Sequence, residues 1–139
     1  MSPERFIEAQ AGNWPAPLEE IRAGQNRTHW MWFIWPQLRG LGRSPTAVRY
    51  GLIRLEEAKA FLADGVLGPR LIEISEAMLT HEGKAPETIL GPVDAMKLCS
   101  CATLFHAAGG GAVFGRLLDA FNEGRPCAAT LEMMKDAPC

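Results

Sequence analysis

The stretch RTHWMWFIWPQLRG, residues 27–40, places His29 directly before Trp30, Trp32 and Trp35 and frames them with Arg27, Gln37 and Arg39. Imidazole titrates near neutral pH, which makes His29 a candidate acid–base group, although a histidine beside tryptophans also serves as a hydrogen-bonded structural residue. Indole rings stack on planar ligands, and guanidinium groups grip carboxylate or phosphate. The loop that follows, GLGRSP at residues 40–45, adds Gly42, Arg43 and Ser44. Its glycines let the backbone approach a ligand, and a helix starting at Ser44 offers free N–H groups and a partial positive charge. No strand precedes it and the third glycine is missing, so it is not a dinucleotide fingerprint; nor is it a P-loop. Farther on, Asp94 and Lys97 are three apart and meet on one side of a helix, with Ser100 and Thr103 continuing around it. Such a pair is either an internal ion pair fixing helix register or a pocket floor where Lys97 holds an anion and Asp94 acts as a base.

Charge points the same way. Arg22, Arg27, Arg39, Arg43, Arg49 and Arg54 lie between Glu20 and Glu56 with no acid among them, while the whole chain carries −2. These arginines either pair with acids on other helices or form an anion-binding surface. The acidic total and the lack of a lysine-rich helix speak against nucleic acid. Cys99 and Cys101 point about 200° apart on a helix, so they should neither pair with each other nor share a metal. Free thiols, with no metal set and no cofactor, are expected. His81 is expected at the surface and His106 in the core.

The elements that must position these residues are helical. Strand alternation is nearly absent, and apolar residues recur at three to four residue spacing. Ser2 and Pro3 start a first helix that buries Phe6 and Ile7, and Trp14-Pro15-Ala16-Pro17 turns into a second with Leu18 and Ile21 inward. Ser44-Pro45 opens what reads as one long helix with Val48, Leu52, Leu55 and Leu62 on a stripe. Others follow at 68–83, 86–90, 92–108, 113–124 and 128–135. The helix from Pro92 is apolar on every side, including Val93 and Met96, and is expected to be central and buried. The expected fold is all-α, residues 1–139 as a single domain of about seven short helices. The N-terminus does not resemble a signal peptide, and Leu98–Gly115, the longest uncharged stretch, is a poor membrane span, so a cytoplasmic protein is expected.

The motif HWMWFIWPQLRGLGRSPTAVRY, with VLGPRL at 66–71 and DAMKLCSCATLF at 94–105, resembles the bacterial domain-of-unknown-function family 1810 over residues 3–133. The resemblance implies a compact array of short helices with an armadillo-like curl. Its signature falls here on His29, Trp30, Met31, Trp32, Pro36, Gln37, Leu41, Gly42, Ser44, Leu67, Gly68, Lys97, Ser100 and Thr103. Many relatives carry an arginine where Cys99 stands, so the central helix here lacks that charge. Relatives have also been labelled calpastatin, which does not suit a compact helical chain, since inhibitors of that kind are disordered before binding.

Together these residues predict a small ligand-binding domain whose site joins segment 27–44 to the central helix and takes an anionic small molecule, a nucleotide derivative being one candidate. His29, Asp94 and Lys97 are its acid–base candidates. Trp30, Trp32, Gln37, Arg39, Gly42, Arg43, Ser44 and Ser100 are its ligand-binding candidates. The alternative is a protein-interaction scaffold or homo-oligomer anchored by exposed tryptophans.

Overall fold

A computed structural model describes residues 3–28, 30–39 and 44–136, with side chains to Met134. Glycine and proline punctuation cuts the described chain into ten helices, and no strand runs among them. In order they are α1 (Glu4–Ala11), α2 (Ala16–Arg22), α3 (Met31–Ile34), α4 (Pro45–Tyr50), α5 (Leu55–Ala63), α6 (Leu67–Leu79), α7 (Pro86–Leu90), α8 (Pro92–Ala107), α9 (Ala112–Phe121) and α10 (Ala128–Asp136). The all-α expectation holds. The first cap predicted for Ser2 lies outside the described residues.

The count exceeds seven partly because α3 is a short separate turn and partly because the helix expected across 45–62 is broken. At Gly51 the backbone turns extended, and Leu52 forms an isolated parallel bridge with Leu38. Arg39 N–H donates to Leu52 O at 2.8 Å, and Leu52 N–H donates to Gln37 O at 2.9 Å. Such a crossing requires glycine: a Cβ at position 51 would stand 2.6 Å from the Arg39 Cα. Arg5 on α1 braces the crossing, its guanidinium donating to the carbonyls of Arg49 and Gly51. Local apolar periodicity therefore predicted one helix, and a close backbone contact from a distant segment made two. Val48, expected on the buried stripe, is 44% exposed in consequence.

The core is one cluster, threaded by aromatic rings. Phe6 of α1 meets Phe61 of α5 edge-on at 5.1 Å, Phe61 meets Phe105 of α8 at 5.5 Å, and Phe105 meets Phe114 of α9 at 5.7 Å. Helix α8 packs against α5, α7, α9 and α10, while α6 packs against α2, α5 and α9. The inward arc of α8 is as expected: Leu98, Ala102 and Phe105 are buried, with Cys101 and Leu104 beside them. Its other faces differ from expectation. Val93 is 63% and Met96 72% exposed, because they lie on the side where α8 borders a cleft rather than another helix. The two unassigned histidines also differ. His106 is exposed near the C-terminal end of α8, whereas His81 is half-buried with Nε2 2.6 Å from the Ile21 carbonyl. No described helix is long and apolar enough to cross a membrane.

Candidate functional site

A cleft of about 560 Å³ opens between α8 and the segment that follows α3. One wall is the outward face of α8, with Val93, Met96, Lys97, Cys99 and Ser100. The facing wall brings Trp32, Gln37 and Ser44, and Phe121, Asn122 and Cys127 close one end.

The wall that carries Trp32 follows from how short α3 is. The helix stops at Ile34, and Trp35 leaves it at φ −117°, ψ 75°. Trp35 thereby turns into the core, where its Nε1–H donates to Ser75 Oγ at 3.0 Å. Trp30 is also buried, 5.7 Å from the Trp35 ring, and donates its Nε1–H to Glu20 Oε1 at 3.0 Å. Glu20 further accepts the backbone N–H groups of Arg27 and Thr28 and the Thr28 hydroxyl. Partial burial pushes its carboxyl up, but these hydrogen bonds outweigh that effect and hold it below the usual glutamate value. Only Trp32, half-buried, faces the cleft. The Lys97 Nζ sits 3.5 Å from the centroid of its ring and 3.1 Å from Asp94 Oδ1. The second oxygen, Asp94 Oδ2, accepts from Asn26 Nδ2 at 2.9 Å. Gln37 is 7% exposed, and its side-chain amide has no hydrogen-bond partner among the described residues.

The closed end of the cleft holds two thiols. They are Cys99 of α8 and Cys127, whose carbonyl accepts the first hydrogen bond of α10 from Leu131 N–H, and each lowers or raises the proton affinity of the other. The Asn122 amide donates to Cys99 Sγ at 3.1 Å, and Ser100 Oγ lies 3.4 Å from Cys127 Sγ. Thr103 links the two backbones: its hydroxyl donates to Cys99 O at 2.8 Å and accepts from Cys127 N–H at 2.8 Å. The hydrogen bond from Cys99 holds Cys127 down to about 4 against the effect of burial, with Ser100 and Thr130 adding to the lowering. That same hydrogen bond, with burial, pushes the Cys99 proton loss far up. Cys101, on the opposite side of α8, is fully buried, and burial pushes its thiol up. No group of three or more metal-ligating side chains occurs among the described residues.

The model of a protein family described as a protein of unknown function (DUF1810) matches residues 1–134. The chain belongs to that family. The solved structures include a relative of this DUF1810 member, the conserved hypothetical protein Rv1873 from Mycobacterium tuberculosis, at 46% identity over 96% of each chain with a TM-score of 0.93. No curated protein matches the chain.

In this DUF1810 domain the fold brings Trp32, Gln37, Ser44, Lys97 and Ser100 to one cleft. It does not bring the other described candidates there. Trp30 is spent on the core and Glu20, and Asp94 stands behind Lys97 with both carboxylate oxygens occupied. Arg39 turns its Nε to the Val48 carbonyl at 3.1 Å, because the Leu38–Leu52 bridge points its backbone along α4. The Ser44 hydroxyl caps its own helix by accepting Ala47 N–H. His29, Gly42 and Arg43 lie outside the described residues. The expected arginine surface is dispersed: Arg22 pairs with Glu73, Arg27 meets Gln25, and Arg49 lies over Tyr50. Sequence reasoning missed Glu20, Asn122 and the Cys99–Cys127 pair. None has a local signal, since each acts on a residue seven or more positions away.

Proposed function

We propose that this domain binds an anionic small molecule in the cleft between Trp32, Gln37 and Ser44 on one side and α8 on the other. The observation that carries this reading is Gln37. Its side chain lines the cleft and its amide makes no hydrogen bond among the described residues, so its donor and acceptor are available to a bound molecule. Around it the cleft has the size and mixed lining of small-molecule sites, which run to roughly 300–1,000 Å³. Lys97 supplies the charge that a carboxylate or phosphate would meet. Asp94 and Trp32 hold its ammonium group in place rather than act on the ligand. Val93, Met96 and Phe121 offer apolar contact for the rest of the molecule. A nucleotide-derived ligand fits this division of charge, hydrogen bonding and apolar surface.

The armadillo-like curl implied by the family resemblance would also offer a surface to a partner chain. Such a surface needs exposed tryptophans as anchors, whereas Trp30 and Trp35 are each 1% exposed. The cleft is therefore the better-supported reading.

A thermal-shift screen with nucleotides, sugar phosphates and small carboxylates tests it. A ligand at a hundred times its Kd stabilises the native state by about 2.7 kcal/mol, a shift of several degrees for a domain of this size. For any hit, Lys97→Met and Gln37→Leu should each weaken binding about tenfold or more, by removing the charge and the amide. A panel without a hit, or a hit indifferent to both substitutions, overturns the proposal.

A further inference from the structure

We infer that Cys99 and Cys127 form a dithiol site that exchanges with low-molecular-weight disulfides, Cys127 attacking and Cys99 resolving. The inference is independent of which molecule Gln37 and Lys97 bind, although both sites open on one cleft.

Four observations support it. Both sulfurs line the cleft and both residues are partly exposed, so a small disulfide has access. The two residues are held side by side, since the Thr103 hydroxyl bridges the Cys99 carbonyl and the Cys127 N–H at 2.8 Å each, and each thiol acts on the proton affinity of the other. Their surroundings are asymmetric. Cys127 sits at the N-terminal end of α10, a nine-residue helix, where backbone N–H groups and the helix dipole favour a thiolate. Ser100 on α8 and Thr130 on α10 add hydroxyls on the same side; the buried Thr130 hydroxyl has no ordinary hydrogen-bond partner of its own among the described residues. Finally, no carboxylate among the described residues acts on either thiol. The charged groups lining the cleft are Lys97 on α8 and Glu87 on α7, and the nearby Arg125 guanidinium is paired with Glu123.

The chemistry balances in two steps. The Cys127 thiolate attacks one sulfur of a disulfide RSSR; its S–S bond breaks, RS⁻ leaves, and a mixed disulfide forms on Cys127. Cys99 then attacks the Cys127 sulfur and expels the second RS⁻, and the Cys99 proton passes to a departing thiolate. One protein dithiol loses two electrons and RSSR becomes two thiol equivalents.

The test uses the full chain and oxidised glutathione, followed by thiol blocking and peptide mass mapping. In the native protein the peptides carrying Cys99 and Cys127 should become linked, with Cys101 untouched. Cys99→Ser should stop at one glutathione held on Cys127, and Cys127→Ser should lose the rapid reaction, both variants retaining the helical circular dichroism spectrum. A second readout needs no variant. Alkylation of Cys127 in the native chain should be nearly flat between about pH 5.5 and 8, where an ordinary thiol speeds up about tenfold per pH unit. A glutathione that stays on wild-type Cys127 unresolved, a link to Cys139 instead, or an ordinary tenfold-per-unit profile overturns the inference.

Discussion

The two walls of the cleft are built by different means. The α8 wall is one side of a 16-residue helix whose other side is the centre of the core, so Lys97, Cys99 and Ser100 inherit the rigidity of Leu98, Cys101 and Phe105. The facing wall is a four-residue helix and an extended segment. It is held by two backbone hydrogen bonds to Leu52 and by the carboxylate of Glu20, together with the burial of Trp30 and Trp35. A helix wall is secured by many small contacts. An irregular wall depends on a few specific ones, and single substitutions should separate the two.

The largest effect should come from the α8 side. Phe105→Ala removes the ring between Phe61 and Phe114 and should destabilise the domain by about 3–5 kcal/mol in urea unfolding. Met96→Ala, nine residues earlier on the outward face, should stay within about 0.5 kcal/mol. Equal costs would mean that the outward face is covered, and the contrast between the faces of α8 would fail.

Gly51→Ala attacks the other wall. Its Cβ must displace the Arg39 backbone, for a cost of about 1–3 kcal/mol, and should carry Gln37 out of position. Ligand affinity should therefore fall even under conditions where the variant remains folded. A variant of wild-type stability and affinity would show that the crossing at Leu52 does not set this wall.

On this wall the smaller effect is that of Glu20→Gln, about 1 kcal/mol, from the loss of charge-assisted hydrogen bonds from Thr28 and Trp30. Its pH dependence is the sharper signature. The folded pKa of Glu20 lies below its usual value of 4.5, so its contribution is complete above pH 4.5 and disappears as pH falls through the lower, folded value. Stability curves of wild type and variant should thus be separated near neutrality and converge in acid. A gap that persists unchanged in acid would remove Glu20 as the charged tie of this wall.

The same contrast explains what was legible beforehand. Helices α6, α7, α8 and α10 lie close to where apolar spacing and glycine–proline punctuation put them, because a helix is specified by neighbours within four residues. Lys97 and Ser100 could be located for that reason. The split at Gly51 was not legible, since the deciding atom belongs to Arg39, twelve residues earlier. Trp35 looked equivalent to Trp32 on a continued helix; the end of α3 at Ile34 sent one ring to Ser75 and left the other beside Lys97.

By itself, the sequence determined the all-helical class, the elements built from local periodicity, and the family motif carried by residues 29–50, 66–71 and 94–105. Only the tertiary structure decided which polar residues share a cleft. It dispersed the arginines, gave both oxygens of Asp94 to neighbours, and left the amide of Gln37 without a partner among the described residues. It also brought Cys99 and Cys127, far apart in the chain, to one end of the cleft and joined them through the Thr103 hydroxyl. The physical reason is range. Helix formation is decided by contacts a turn away, whereas a site is decided by which helix faces meet, and that depends on backbone approaches between residues distant in sequence.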